Sequence, residues 1–382
     1  MRDEGALDRA APWMSLRLDG LAPPMRARAA PPGVAPHARL HLNECAWGPS
    51  PRAIAAAAEA AAGLNRYPPG EGGALVAALA ARAGVEPGRI ILAAGSDLVL
   101  HYACMIALDT TRSSIFPLPS FPRYRLSTAI SGARAVPVEV TAEGTNDVEA
   151  MLTAIGPDTG LVFACTPNGN TGGMLDEAAL SALARGVPDT VLLCVDEAYA
   201  EFSRAAGGPD AVSVLARDRR GPWIVSRTFS KAYALAGARL GYGVCSGGDV
   251  VDAIGSIRPI FEVASVSVAM AAAALEDEAH LARVIEGTEE GRDQLAAGLR
   301  ALGFSPWPSF ANFVSADIGR PVETVIAAMA ERGVLVRGFR EPVGYDKALR
   351  ISVGTAEENG LALEALAAVL GANARMPEET LR

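Results

Sequence analysis

Seven strand-length apolar runs organise the middle of this 382-residue chain, at 89–93, 114–118, 135–140, 161–165, 191–195, 223–225 and 240–245. They show almost no polar alternation, and helical segments separate them. Strands covered on both faces read this way, because helices on both sides of a mostly parallel sheet leave no face for water. The pattern therefore predicts an α/β fold. A helix is expected from Pro51 to Gly63, Ala-rich with Pro at its start and Gly at its end. Another is expected over Asp97–Leu108. From about residue 262 the character shifts to one long helix over Val263–Ala301 and then short mixed elements, which suggests a smaller α/β domain. Residues 1–38 are rich in Pro, Ala and Arg without periodicity, and read as a flexible lead-in. The expected division is 39–64 as the N-terminal part of the small domain, 65–261 as the large domain, and 262–382 as the C-terminal small domain.

Composition narrows the function classes. The chain is 50% hydrophobic with Lys+Arg 34 and Asp+Glu 43, a net charge of −9. That excludes disorder, collagen and disulfide scaffolds. An acidic balance also argues against nucleic acid and anionic membranes as partners. The longest apolar stretch, Ala264–Leu275, is too short for a ~20-residue membrane crossing. Arg2, Asp3 and Glu4 open the chain without a hydrophobic signal core. Five scattered cysteines form no CxxC pair, so no metal site is expected and a reduced cytoplasm is the simplest setting.

Four strand ends carry chemistry. After 223–225 come Thr228, Ser230 and Lys231, with Arg239 in a glycine-flanked approach. A desolvated Lys beside hydroxyls and an Arg suits Schiff-base chemistry with an anionic carbonyl compound; taken alone, Lys231 reads more readily as a solvated loop residue, with Arg239 as a salt-bridge partner. The run 191–195 delivers Asp196, Glu197 and Tyr199. A buried Asp there can keep a pyridinium nitrogen protonated and a Tyr can donate to a ring hydroxyl, although an Asp at a strand end also commonly caps a helix. Gly95-Ser96-Asp97 opens a helix whose N–H groups suit phosphate. Thr166 to Gly172 is a polar turn. Together these supply a Schiff-base Lys, a pyridinium partner, a phenol and a phosphate cup, the set that pyridoxal phosphate (PLP) requires.

The ordered motifs carry a resemblance over about residues 39–370. They are Leu42-Asn43-Glu44, Asn65-Arg66-Tyr67-Pro68, Gly95-Ser96-Asp97, Asp196-Glu197-Ala198-Tyr199, Ser230-Lys231-Ala232 with Gly237-Ala238-Arg239, Ala311-Asn312-Phe313, and Leu349 to Thr355. The chain resembles a fold-type I PLP enzyme of the class I/II aminotransferases, most similar to the histidinol-phosphate aminotransferase group. The resemblance implies a three-layer PLP-dependent transferase fold with a mostly parallel seven-stranded sheet and a smaller α/β domain. It implies that Lys231 forms the Schiff base and moves the proton, that Asp196 pairs with the pyridine nitrogen, and that Tyr199 meets the ring hydroxyl. Gly95, Ser96, Asp97, Thr228, Ser230 and Arg239 would hold the phosphate, and Phe121 would stack on the ring. Tyr67 would reach the phosphate of a neighbouring subunit, which implies a homodimer. Arg350, with Arg337, would bind a substrate carboxylate or phosphate, with Asn312 nearby.

Two departures stand out. The family turn Asn-Pro-Asn-Asn-Pro-Thr-Gly reads here Thr166-Pro167-Asn168-Gly169-Asn170-Thr171-Gly172, so Gly169 falls where an Asn meets the ring hydroxyl. Either Asn168 or Asn170 replaces that donor, or the bond is missing. Cys45-Ala46-Trp47 also departs from the usual pattern after Asn43-Glu44. The expected activity is transamination between an amino donor, histidinol phosphate or an amino acid, and a 2-oxo acid. The alternative is a PLP-dependent decarboxylase, cyclase or amino-acid oxidase/deaminase.

Overall fold

A computed structural model describes residues 31–68, 72–339 and 344–371. Most of the expected lead-in, residues 1–30, lies outside the described residues, as do residues 372–382 of the expected small domain. The chain starts with β1 (Ala38–Arg39), α1 (Pro51–Ala61) and α2 (Gly73–Ala83). Next come β2 (Ile90–Ala93), α3 (Ser96–Ala107), β3 (Ser113–Leu118), α4 (Arg123–Ile130), β4 (Arg134–Glu139) and α5 (Val148–Thr153). Then follow β5 (Thr159–Cys165), α6 (Glu177–Gly186), β6 (Leu192–Asp196), α7 (Ala200–Ala205), α8 (Ala211–Asp218), β7 (Trp223–Thr228) and β8 (Gly241–Cys245). Helices α9 (Gly248–Gly255), α10 (Ser265–Glu276) and α11 (Glu278–Ala301) lead to β9 (Phe313–Asp317), α12 (Val322–Ala330), β10 (Val334–Leu335), β11 (Arg337–Gly338), β12 (Ala348–Ser352) and α13 (Ala356–Leu370).

All seven apolar runs become strands of one sheet, ordered β2-β8-β7-β6-β5-β3-β4. Only β8 runs antiparallel, to both β2 and β7. The interior strands β5, β6 and β7 are buried along their whole length, while the edge strand β4 is partly exposed. Their side chains feed a separate apolar core on each face of the sheet. Each fully buried Leu, Val or Phe there contributes about 1.5–3 kcal/mol, which accounts for the absence of polar alternation. A three-stranded sheet, β11-β12-β9, forms a second layer with α11, α12 and α13 around its own core.

The expected single helix over 263–301 is two helices. Asp277 sits between them with φ −92° and ψ 68°, and its side chain accepts from His280 N as the N-cap of α11. Ser50 Oγ donates to the same carboxylate. A capping Asp competes with helix continuation by bonding its own backbone. Core packing also crosses the expected divisions at 64 and 262. Ala271, Ala274 and Leu275 of α10, with Ala53 of α1, bury into the large-sheet core. The second core begins with Ala38 and Leu40 and resumes only with α11. Among the described residues, no helix is long and apolar enough to cross a membrane.

Candidate active site

The parallel strands β5, β6 and β7 end together beneath a cavity of about 360 Å³. The carboxyl edge of such a sheet collects ligands because loops and helix N-termini converge there. Lys231, Asp196, Tyr199, Thr228, Ser230 and Arg239 line the cavity. So do Ser96, Asp97, Phe121, Asn170, Arg337 and Arg350.

Asp196 is the last residue of β6. Its Oδ2 accepts from Tyr124 Oη at 2.6 Å and its Oδ1 from Ala198 N at 3.1 Å. Burial pushes its carboxyl up to about 6 against those two bonds. An ionised Asp196 therefore favours a positive group placed beside it. Lys231 Nζ donates to Asn43 O at 3.0 Å and Leu42 O at 3.3 Å. Burial, then the charge of Arg350, pulls its amine down to about 8. Tyr199 Oη accepts from Asn43 Nδ2 at 2.9 Å, which leaves the phenol proton to donate elsewhere. Asn43 has a left-handed φ of 54°, which Asn tolerates, and Ser352 Oγ donates to its Oδ1 at 2.9 Å.

Gly95 precedes α3 with φ 95°, and no side chain caps the helix. A Cβ on Gly95 would lie 2.5 Å from Arg239 Nη2, so only glycine lets that guanidinium lie against the helix start. Arg239 has a left-handed φ of 50°. Thr228 Oγ1 and Ser230 Oγ meet at 3.0 Å beside it. Helix N–H groups, two hydroxyls and an arginine are groups that can together hold a phosphate. The Asp97 carboxylate turns away from this role: Arg123 Nε and Nη2 grip it at 2.7 and 2.5 Å.

On the same cavity, Arg337 and Arg350 are cross-strand partners on β11 and β12. Burial pulls Arg350 down to about 10, and its guanidinium sits 5.2 Å from the Phe313 ring centroid. At the ends of β6 and β7, Arg227 Nε and Nη2 both donate to Glu197 Oε2, at 2.8 and 2.7 Å.

Four expected site residues stand outside the cavity wall: Gly95, directly before the lining residue Ser96, and Asn168, Asn312 and Tyr67. Asn168 is fully buried, its Nδ2 donating to Pro119 O and its Oδ1 accepting from Asn170 N and Thr171 N. Asn170 reaches the cavity, but its amide also serves protein partners, Ser120 O and Arg350 Nη1. Asn312 is buried and donates from Nδ2 to Asn43 O. Tyr67 is 78% exposed and stacks on Phe261 at 4.6 Å, away from this cavity. Tyr124, Arg123 and the bracing role of Asn43 were not anticipated. The one available signal for Tyr124 is its place one helical turn after Phe121.

A buried carboxylate for a ring nitrogen, an amine for an aldehyde and a cup for a phosphate fit PLP. Fold and site define an aminotransferase of fold type I. The chain belongs to the aminotransferase class I and II family, whose model matches residues 38–366. It is 40% identical over 337 residues to histidinol-phosphate aminotransferase 2 of Methylococcus capsulatus, covering 87% of this chain and 90% of that one. It is 37% identical over 335 residues to histidinol-phosphate aminotransferase 2 of Carboxydothermus hydrogenoformans, covering 87% and 91%. The solved histidinol-phosphate aminotransferase of Sinorhizobium meliloti, in complex with pyridoxal-5'-phosphate, superposes with a TM-score of 0.82 at 30% identity, covering 88% of this chain and 92% of that chain.

Proposed function

We propose that this PLP-dependent aminotransferase takes an amino donor with an anionic group, histidinol phosphate or an amino acid, and passes the amine to a 2-oxo acid. The observation that carries this reading is the cross-strand pair Arg337 and Arg350 on the same cavity as Lys231. Two arginines facing one amine provide for a substrate whose amine and anion lie at opposite ends. The names of the 40% and 37% identical relatives support histidinol phosphate as the first donor to test.

When bound, PLP supplies the electron sink that lets a Cα–H bond break. Asp196 holds the ring nitrogen's proton, and Tyr124 and Ala198 N keep its carboxylate aimed. Tyr199 would donate to the ring oxygen and Asn43 orients it, a part that the buried Asn168, bonded to Pro119 O, does not play. Ser96, Thr228, Ser230, Arg239 and the backbone at Gly95 and Asp97 hold the phosphate, and Phe121 covers a ring face. Lys231, partly neutral near pH 8, would take the proton from the donor's Cα and deliver it to the cofactor's former aldehyde carbon, and the reverse transfer would serve the 2-oxo acid. Arg350 and Arg337 bind the substrate anion.

The apolar face around Tyr67 (78% exposed), Ile260 (83%) and Leu64 (56%) fits a second copy of the chain. In that homodimer Tyr67 serves the partner's phosphate cup. Five free cysteines fit a reducing cytoplasm. A panel of amino donors with 2-oxoglutarate, histidinol phosphate included, tests the substrate reading. Borohydride reduction of the loaded protein should fix the cofactor on Lys231, read by peptide mass. Failure of transfer from every anionic donor would sink it.

A further inference from the structure

Arg350 has five N–H groups, and the protein uses one end of the guanidinium itself. Nη1 donates to Gly169 O at 2.8 Å and to Asn170 Oδ1 at 3.2 Å, which occupies both of its hydrogens. Nη2 donates once, to His41 O at 3.4 Å. Nε is buried and meets no acceptor among the described residues. The residue as a whole is 8% exposed, and it lines the cavity. An unspent Nε–H beside Nη2 is the side edge of the guanidinium. By that same edge Arg123 grips both carboxylate oxygens of Asp97. It matches two oxygens of one carboxylate or phosphate.

The closed end depends on Asn170. Its Nδ2 donates to Ser120 O at 2.9 Å, which fixes the amide so that Oδ1 faces Arg350. Its backbone O accepts from Ser315 Oγ at 2.7 Å. Ser315 lies on β9 as the cross-strand partner of Arg350 on β12. Asn170 thus ties the turn after β5 to β12, which carries the arginine, through its side chain, and to the neighbouring β9 through its backbone.

We propose that Asn170 is a positioning residue: by closing the Nη1 end of Arg350 it leaves only the Nε–Nη2 edge for the substrate, and so sets one bidentate orientation of the substrate's anionic group. This rests on the reading of Arg350 as the substrate-anion arginine.

The test compares two small reagents that capture the cofactor of the holoenzyme, followed by absorbance. Aminooxyacetate carries a carboxylate and methoxyamine does not. The ratio of their second-order rate constants reports anion recognition, and the methoxyamine rate alone reports an intact site. Asn170→Ala removes the acceptor and should lower the ratio about tenfold, the cost of one hydrogen bond to a charged group, with the methoxyamine rate unchanged. Asn170→Asp keeps the size and places a negative charge on the guanidinium, and should lower the ratio at least as far. Arg350→Ala should abolish the preference. If Arg350→Ala collapses the ratio while both Asn170 variants keep it, the positioning role is wrong and the arginine's role stands. Equal slowing of both reagents in the Asn170 variants likewise overturns the proposal, since it marks a general structural defect. A ratio unmoved by Arg350→Ala overturns the reading of Arg350 itself.

Discussion

Substituting Gly95 by Ala probes the phosphate cup at the point where the backbone leaves no slack. The new methyl would sit 2.5 Å from Arg239 Nη2 and 3.2 Å from its Cζ, so the guanidinium must leave the start of α3. Gly95 also has φ 95° and ψ 153°, a conformation that only glycine adopts readily. That strain costs about 1–3 kcal/mol of folding stability. Losing one charge-assisted hydrogen bond from Arg239 to the phosphate costs about 1.5–3 kcal/mol of binding, or roughly 10- to 150-fold in Kd for PLP. The two effects separate experimentally. Thermal melts of the cofactor-free protein read the strain, and titration with PLP by absorbance reads the Kd. In the double variant Gly95→Ala, Arg239→Ala the binding loss should match that of Arg239→Ala alone, because the methyl acts by displacing a side chain that is no longer there. A Kd within twofold of the parent in the single glycine variant refutes the geometric argument. So does a double variant whose loss is the sum of the two singles.

Three further outcomes follow from the buried charges. Glu197→Ala leaves the Arg227 guanidinium buried with Asp210 as its remaining ion-pair partner, and urea unfolding should show a loss of about 3–5 kcal/mol; a change below about 1 kcal/mol contradicts the pair's role. Burial raises Asp196 from 3.8 to about 6, so in cofactor-free protein its stabilising protonation is complete below pH 3.8 and is lost as pH rises through about 6. Asp196→Asn should therefore raise the melting temperature at neutral pH, with a gain that shrinks toward pH 4; a pH-independent gain argues against a buried, raised carboxyl. Arg350 is one of the groups that pull Lys231 down to about 8. Labelling of Lys231 by trinitrobenzenesulfonate in cofactor-free protein should rise through that pH and shift upward in Arg350→Ala, and a downward shift or none counts against the electrostatic coupling.

Much of this was legible in the chain. A strand buried on both faces needs apolar residues at every position, so the interior strands of the large sheet announced themselves locally, and the partly exposed edge strand β4 was read from its short apolar run. The residues at their ends were legible too, because carboxylates, a lysine and hydroxyls on apolar strands demand a reason. Lys231, Asp196, Tyr199 and Arg239 meet at one cavity for that reason. The break at Asp277 was missed because the Ala-rich stretch before it and the charged stretch after it both favour helix and outweighed the local cap signal of Asp277, whose carboxylate is held further by Ser50 only in the folded chain.

What tertiary structure alone decided are the partnerships across long stretches of chain. Asn170 and Arg350 are 180 residues apart, Asn43 and Ser352 are 309 apart, and Tyr124 reaches Asp196 across 72. Periodicity reports which face of an element is buried, and carries no information about which hydrogen-bonding group arrives opposite it. The sequence by itself settled the layered sheet and the kinds of chemical group at its carboxyl edge. Packing decided that the 168–170 turn braces an arginine, that Asn43 braces Tyr199, and that α1 and α10 belong to the large sheet. Hydrogen bonds are directional and short, and burial leaves no water to replace them, so only the folded chain specifies which donor meets which acceptor.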